Sequence, residues 1–475
     1  MDVENRDRTA GRSRKFEATG RQDPRFRGVV VGPGLALQGH MRNEMVRALA
    51  STRSWTWILA VAALAVVPAC GGSGGSTPVG VEQSTQARVT APTVPASDAT
   101  ELASDNQAFA VDLYQNLRAQ AGADDNLVFS PISISLALAM LYNGAETETA
   151  TQMATTLHFT LPTDRLNAAF DALDLALTAP PASGAGSFQL SLANSAWTQA
   201  GFSILPSYLD VLAEDYGAGI NTVDFESAPD AARDAINAWV ANKTQNQIPA
   251  LFPEGAIDDL TRLVLADAVY FHGDWVTPFD PNSQNATFHA QAGDVSVPLM
   301  TNKNADAALW SGTGWQAAAL AYQGAAASMI LVVPDAGTFD SFEQSLTADS
   351  LGTILSSGQQ TFGTLSMPRF KFSLATSLND TLAALGMPDA FQGNADFSGI
   401  DGTKDLHVQT VVHQADIAVD EKGTTAAAAT GVGVGDAAAV LISLTVDRPF
   451  LFFIVHQSTG ALLFAGRVVD PSKTN

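Results

Sequence analysis

Apolar positions follow a helical period in the first half of the chain. In DNQAFAVDLYQNLRAQ, Phe109, Leu113 and Leu117 recur every four residues, which predicts a helix with one buried face. SPISISLALAMLYNGA predicts a second helix, because Ser130 is a good N-cap and Pro131 suits the first helical position. DAARDAINAWVANKT and LNDTLAALGM have similar patterns and predict two more helices.

Longer apolar runs, typical of buried strands, dominate the second half. They are LTRLVLADAVYFHGDW, TLSMPRFKFSL and three runs after residue 438. Helices and strands do not alternate regularly, so the pattern predicts an α+β fold with an antiparallel or mixed sheet. No Pro/Ser-rich break interrupts residues 105–473, and we therefore predict that they form one domain.

The chain before residue 105 has a different pattern. Residues 1–40 are basic and Gly-rich without a period, which indicates a disordered extension or a start codon set too early. Residues 41–70 have the layout of an export signal, with arginines, the apolar WTWILAVAALAVV and a terminal VPAC. Residues 71–104 are rich in Gly, Ser, Thr and Pro and predict a flexible linker.

The VPAC ending resembles the lipobox of bacterial lipoproteins, in which the cysteine is lipidated and becomes the new N-terminus. Cys70 is the only cysteine of the chain. The resemblance implies an exported, extracytoplasmic protein that is lipid-anchored to a bacterial cell envelope, since two acyl chains hold a protein stably. The alternative is an ordinary signal peptide cleaved after Ala69 and a secreted protein with a free thiol.

Composition narrows the function classes. The chain is 46% hydrophobic with a net charge of −23, so it is globular and acidic, which argues against nucleic acid and anionic membrane as partners. One cysteine excludes an intramolecular disulfide, and the seven His lack zinc-site spacing. Residues 105–473 contain no hydrolase nucleophile motif. We therefore expect no cofactor, no metal and no enzymatic activity.

One stretch between two strand-like runs fits neither period. EKGTTAAAATGVGVGD begins at Glu421 and has no charged or large side chain between Lys422 and Asp436. Read as a strand, it has two faces of small uncharged residues, and no proline prevents a hydrogen-bonded ladder. The stretch is an exposed loop able to become a strand, or else a flexible linker, a short helix or a permanent strand.

Several segments together resemble the serpin family. IAVDEKGTTAAAAT resembles the hinge of the serpin reactive loop, and NLVFSPISISLALAMLYNGAETET resembles the shutter segment. INAWVANKTQNQIPALFPEGAIDDLTRLVLADAVYFHGDWVTPF is similar to the family's central helix-to-strand block. TLSMPRFKF, VVHQADIAVDEKG and DRPFLFFIVHQSTGALLFAGRVVDP are similar to its closing strands. The segments follow the family's order from about residue 105 to residue 473.

The resemblance implies a fold and a mechanism. The expected fold has a large central mixed β-sheet, further sheets, about nine helices and an exposed reactive-centre loop. A target serine protease would form an acyl-enzyme at the loop, and the cleaved loop would insert into the central sheet and distort the protease. A papain-like cysteine protease is a further target class, and we expect a monomer. The alternative is a non-inhibitory serpin that serves as a carrier or surface binding module.

The resemblance also assigns residues in the loop. The hinge comprises Glu421, Lys422, Gly423, Thr424, Thr425, Ala426, Ala427, Ala428, Ala429 and Thr430. Thr424 enters the sheet first and must be uncharged, because a buried unpaired charge costs several kcal/mol. The reactive-site bond is Ala437–Ala438 or Ala438–Ala439, depending on the end from which it is counted. An alanine suits elastase-like or subtilisin-like proteases and does not suit trypsin-like ones.

Further residues match positions where the serpin sheet opens. Ser130, Ser133, Asp267 and His413 fall at the shutter, and Trp275 falls at the breach, where the loop enters the sheet. The family usually has Asn where Asp267 stands. An ionised Asp only accepts hydrogen bonds, so we expect it to pair with a protonated His413 and to make opening pH-sensitive.

Overall fold

The computed structural model describes residues 79–179, 188–324, 326–358, 360–424 and 442–474. In these ranges the chain forms ten α-helices, where about nine were expected from the resemblance. They are α1 (Ala96–Gln120), α2 (Pro131–Tyr142), α3 (Thr147–Thr156), α4 (Thr163–Thr178), α5 (Pro206–Tyr216), α6 (Pro229–Lys243), α7 (Phe339–Gln344), α8 (Ala348–Ser356), α9 (Asn379–Leu385) and α10 (Ser398–Asp401).

The strands of the same ranges form two hydrogen-bonded sheets. They are β1 (Gly80–Glu82), β2 (Leu127–Phe129), β3 (Gln189–Gln199), β4 (Ile220–Val223), β5 (Leu263–Asp274), β6 (Gln284–Ala290), β7 (Gly293–Gly312), β8 (Trp315–Ala321), β9 (Ala327–Pro334), β10 (Gln360–Pro368), β11 (Phe370–Ser377), β12 (Thr410–Val419), β13 (Gly423–Thr424), β14 (Ile442–Thr445), β15 (Phe450–His456) and β16 (Leu462–Val468).

The first sheet has seven strands in the order β1-β4-β3-β5-β13-β12-β11. The pairs β3–β4 and β5–β12 are parallel, whereas the other neighbours are antiparallel. A large mixed sheet is therefore confirmed. In the second sheet, β14-β10-β7-β8-β9-β15-β16-β2 are neighbours in that order, and β6 pairs with β7 at the side.

The apolar helix α2 lies between the two sheets, in contact with β3, β5 and β16. Ser130 caps it by accepting a hydrogen bond from the Ser133 amide at 3.3 Å, and Pro131 is its first residue, as the sequence predicts. All residues from Pro131 to Leu141 are buried, which explains why the helix is apolar on every side. The core thus holds α2 against β3 and β5, two inner strands of the first sheet.

The run TLSMPRFKFSL is two strands rather than one. β10 belongs to the second sheet and ends at Pro368, whereas β11 begins at Phe370 in the first sheet. Pro368 has no amide hydrogen to continue a ladder, and the Arg369 amide instead donates to the Pro298 carbonyl at 3.0 Å. Because of this break, Arg369 lies at the end of the first sheet where β13 begins, within reach of Glu421.

Residues 79–95, which we call the N-terminal strap, run along the edge of the first sheet. Their strand β1 pairs antiparallel with β4. Farther along, the Val89 amide donates to the Glu214 carbonyl at 2.9 Å, and the Ser84 hydroxyl donates to the Asp210 carboxylate. The strap therefore adds an edge strand and attaches it to α5.

Arg88 supplies the charged contact of the strap. Its Nε lies 2.8 Å from Asp171 and its Nη2 lies 2.6 Å from Asp174, both on α4. Burial raises the pKa of Asp171 above its ordinary value even beside this guanidinium. Arg88 therefore stabilises a carboxylate whose charge the surrounding protein disfavours.

The prediction of a flexible linker over residues 71–104 is corrected for the part that the structure describes. Residues 79–95 form the strap, and α1 begins at Ala96 instead of Asp105. The strap is held by backbone pairing and by Arg88 rather than by a row of apolar side chains. For this reason its composition is typical of a linker although it is folded.

Candidate functional site

The chain enters the first sheet between β5 and β12 at residues 423–424. There β13 pairs antiparallel with the end of β5, and Thr424 also pairs with Val419 of β12. Farther down, residues 264–269 of β5 pair directly with residues 410–415 of β12. The position of an additional strand is therefore occupied for two residues and closed below them.

A tight turn brings β13 back beside β12. The Asp420 carboxylate accepts from the amides of Lys422 and Gly423 at 2.8 and 3.3 Å, a contact typical of such turns. Gly423 lies so close to β5 that a Cβ would be 2.1 Å from the Gly273 carbonyl oxygen. Only glycine fits this position, because any side chain would displace the backbone of β5.

An ion pair with Arg369 holds Glu421, which lies two residues before β13. Glu421 accepts from Arg369, whose Nε lies 2.8 Å from one carboxylate oxygen, and from the hydroxyl of Ser283. Burial raises the pKa of Glu421, but the hydrogen bonds from Arg369 and Ser283 outweigh it and leave the pKa below its ordinary value. Arg369 is not among the predicted site residues, although its position just after Pro368 is a signal of a strand break.

Trp275 and Tyr322 are two buried aromatic residues that contact residues 420–424. Trp275 is fully buried, donates from its indole to the Asp420 carbonyl at 3.0 Å, and stacks on Tyr322 at 4.5 Å. The Tyr322 hydroxyl lies 2.7 Å from the Thr424 hydroxyl. The structure thus places Trp275, the predicted breach residue, against Asp420 and Lys422 just before β13, and it adds Tyr322, which no sequence pattern near the loop indicates.

Three neighbouring strands carry a polar row in the middle of the first sheet. Asn194 of β3, Asp267 of β5 and His413 of β12 are register partners. Ser133 of α2 donates its hydroxyl to Asp267 from below, and its carbonyl accepts from Asn194 at 3.0 Å. The structure brings the predicted shutter residues together and adds Asn194.

The hydrogen bonds of His413 define its tautomer. Its Nε2 accepts from the Ser130 amide at 3.1 Å, so the proton is on Nδ1, which lies 2.8 Å from the Asp267 carboxylate. Both His413 and Asp267 are fully buried. His413 thus joins β12 to the Asp267 carboxyl group of β5 through Nδ1, and this geometry does not fit the expected protonated ring, which would place a second donor opposite the Ser130 amide.

Some predicted site residues lie outside the described residues. They are Cys70, Thr425, Ala426, Ala427, Ala428, Ala429, Thr430, Ala437, Ala438 and Ala439. Within the ranges that the structure does describe, no three His, Cys, Asp or Glu side chains are grouped to hold a metal ion. In those same ranges, no helix is long and apolar enough to cross a bilayer.

A family model described as serpin (serine protease inhibitor) matches residues 104–471. The chain belongs to the serpin family. It is 35% identical to human leukocyte elastase inhibitor over 384 residues, which cover 78% of this chain and all of that protein. An uncharacterized serpin-like protein of Thermococcus kodakarensis is 36% identical over 368 residues, covering 76% and 84% of the two chains.

The fold of this serpin agrees with solved relatives. Human thyroxine-binding globulin, solved with its thyroxine ligand, superposes with a TM-score of 0.71 at 28% identity, covering 79% of this chain and all of that one. The α+β serpin fold with its large mixed sheet is therefore confirmed. The family is one of protease inhibitors, so this serpin is not an enzyme.

Proposed function

We propose that this serpin is a suicide-substrate inhibitor of serine endopeptidases. The observation that supports the proposal most directly is β13, because it starts a strand between β5 and β12. In the sequence, the six residues after Thr424 are Thr and Ala alone. The described start of a strand and the composition of the sequence that follows it suit insertion of the whole loop.

The strand directions favour insertion energetically. β5 and β12 pair in parallel below β13, whereas a strand that follows β13 would be antiparallel to both. Insertion exchanges one parallel ladder for two antiparallel ladders, and parallel pairing is slightly weaker per residue. The uncleaved protein is therefore held by a kinetic barrier, and cleavage releases the strand to insert.

We propose elastase-like or subtilisin-like proteases as targets. Alanine stands on the N-terminal side of both candidate bonds, Ala437–Ala438 and Ala438–Ala439. A small apolar side chain fits a shallow specificity pocket and leaves the acid of a trypsin-like pocket unpaired. The name of the human relative, leukocyte elastase inhibitor, points to the same class.

Incubation with single proteases tests this proposal. The purified full-length chain is mixed with an elastase-like, a subtilisin-like or a trypsin-like protease, and the products are separated on a denaturing gel. We expect a covalent complex of summed mass with the first two enzymes, and mass spectrometry of the released C-terminal peptide identifies the bond. Loop cleavage without a complex for every protease would contradict the inhibitory function.

We further propose that Cys70 carries a lipid and anchors the domain outside the cytoplasm of a bacterium. The support is the VPAC ending after an apolar stretch. Expression in a bacterial host with a labelled fatty acid should label the protein and place it in the membrane fraction. Cys70→Ala should abolish both effects. Equal labelling of the two proteins would exclude this anchor.

The alternative function is that of a non-inhibitory carrier. The specific observation is the similarity to thyroxine-binding globulin, a serpin whose printed name describes binding of a small molecule. A carrier would be cleaved in the loop like an ordinary substrate. The protease gels therefore distinguish the two functions directly.

A further inference from the structure

The ladder between β5 and β12 ends in a side-chain contact at the end farthest from β13. There the side chain of Gln409, the residue before β12, crosses to the start of β5, and its Oε1 accepts from the amides of Arg262 and Leu263 at 3.1 and 2.7 Å. The Gln409 amide donates to the Leu263 carbonyl at 3.1 Å. One residue thus binds two consecutive residues across the gap, and we call this contact the Gln409 bridge.

Neighbouring residues hold Gln409 in place. Asn379, the first residue of α9, donates from its side chain to the Gln409 carbonyl at 2.7 Å and accepts from the Val411 amide at 2.8 Å. The Leu378 amide donates to the Val411 carbonyl at 2.9 Å, and Gln409 Nε2 lies 3.3 Å from His407 Nε2. The backbone around Gln409 is therefore attached to α9, which orients its side chain toward β5.

The register of β13 indicates which loop residue would meet this bridge. Thr424 stands opposite Gly273 of β5 and opposite Val419 of β12. An antiparallel strand that continued from Thr424 without a bulge would advance by one residue for each residue of either partner. Counted along β5 or along β12, Val434 is the residue that arrives at the Gln409 bridge. The two counts agree because β5 and β12 are themselves in register.

The Gln409 bridge therefore divides the path of insertion in two. As far as Gly433, an entering strand would separate the direct pairs between residues 264–269 and 410–415. From Val434 onward it would also have to break the hydrogen bonds of the bridge. Both candidate reactive bonds follow Val434 in the sequence, so the cleaved end of the loop could reach its final position only after the bridge is broken.

We propose that Gln409 sets the depth of loop insertion. While the bridge is intact, the sheet accepts a strand as far as Gly433; once it breaks, the remaining residues up to the cleaved end enter. Gln409 acts through β5 and β12 and is therefore a positioning residue. The inference rests on the proposed insertion of the loop and adds the residue that limits it.

Two peptides copied from the loop test this depth. The shorter comprises residues 425–433 and the longer comprises residues 425–437, and their affinities for the full-length chain are measured by native mass spectrometry. In the wild type we expect less than about a twofold difference, because the extra residues can pair only by breaking the bridge. In Gln409→Ala the longer peptide should bind at least about tenfold more tightly than the shorter, since two side-chain hydrogen bonds no longer oppose it.

Two further variants separate this role from a general loosening of the sheet. Gln409→Glu keeps an acceptor for both amides and should bind the two peptides as the wild type does. Gln414→Ala removes the same side chain elsewhere on β12, where it donates to Asp416 of its own strand, and should leave the ratio of the two affinities unchanged. Equal tightening of both peptides by Gln409→Ala would mean a loosened sheet and would overturn the proposal.

A series of peptides tests the wild type without any substitution. All begin at Thr425, and they end at successive residues from Thr430 to Ala437. Affinity should rise with each added residue as far as Gly433 and stop rising at Val434. A continued rise through Val434 would refute the role of Gln409, even if Gln409→Ala fails to fold. Absence of binding for every peptide would contradict loop insertion itself, and the limit set by Gln409 with it.

Discussion

At the scale of single residues, some groups of the site join β5 to β12, and others hold the chain where the proposed insertion would begin. Thr424 is already buried between two strands, and Glu421 is held by Arg369 just before it. Asp267 and His413 connect β5 and β12, the two strands that the proposed insertion would separate. Each contact involves a buried or partly buried polar group. The direction in which a substitution changes stability or inhibition can therefore be predicted.

A charge at Thr424 should abolish inhibition. The side chain is 1% exposed, so an arginine there would be buried without a partner at a cost of several kcal/mol. We expect Thr424→Arg to reduce covalent complex by at least about a hundredfold and to leave a cleaved substrate. Thr424→Val is the control, since it keeps the shape and loses only the contact with Tyr322. Trapping by the arginine variant would disprove the role of this position.

The Glu421–Arg369 pair should make stability depend on acid pH. The pKa of Glu421 is lowered from its ordinary 4.5, so its contribution is complete above pH 4.5 and is lost as the pH falls through the lower folded value. Glu421→Gln should lower stability by about 1 kcal/mol at pH 7, a modest value because Arg369 is partly exposed. Thermal unfolding from pH 7 to pH 3 should show the two proteins converging. A constant difference would argue against this assignment.

Asp267 should control the separation of β5 and β12. Leucine at this position leaves the donors of His413 and Ser133 unsatisfied, at about 1–3 kcal/mol for each buried group. We expect Asp267→Leu to lose inhibitory activity faster on incubation at 37 °C. Asn can accept from His413 and donate to the Ser133 oxygen, so Asp267→Asn should behave like the wild type. Equal lifetimes of all three proteins would remove Asp267 from this role.

At the scale of elements, most of the fold could be predicted because its helices and strands have strong apolar periods. α2 has the predicted cap and first residue, and β13 begins the stretch whose small side chains suggested a loop able to become a strand and which the serpin resemblance assigned to the hinge. Arg369, Tyr322 and Asn194 could not be predicted as partners, because their contacts join residues far apart in the chain. The strap was missed because backbone pairing has no compositional signature.

The strap should stabilise the edge of the first sheet through Arg88. Arg88→Met leaves Asp171 charged and buried, and we expect about 1–2 kcal/mol lower stability at pH 7, since the arginine is partly exposed. The pKa of Asp171 is raised in the folded protein, so protonation at lower pH relieves this strain. The difference in unfolding temperature should therefore shrink from pH 7 to pH 4. A Lys variant should retain part of the effect, whereas a loss independent of pH would contradict the charge argument.

At the scale of the whole molecule, cleavage of the loop should produce a more stable protein. Insertion would add strand pairs along both β5 and β12, whereas the uncleaved sheet has one direct ladder there. We expect cleavage to raise the unfolding temperature by at least about 10 °C; 1 kcal/mol shifts a domain of about 150–250 residues by roughly 2–4 °C and a larger domain such as this one by less, so the rise requires a gain of several kcal/mol. Thr424→Arg, once cleaved, should show no such rise. An unchanged unfolding temperature after cleavage of the wild type would mean that the loop does not insert.

The two residues of β13 also determine how insertion begins. Forming a new strand normally requires a nucleation step, in which a free chain finds the gap and gives up its entropy before any ladder forms. Here Gly423 and Thr424 have already completed that step. In the proposed mechanism, insertion would then only have to propagate, by separating the register pairs from Ala415–Val269 downward, one after another. If the protein inhibits as proposed, the time that it needs to trap a bound protease is set by how strongly those pairs resist separation.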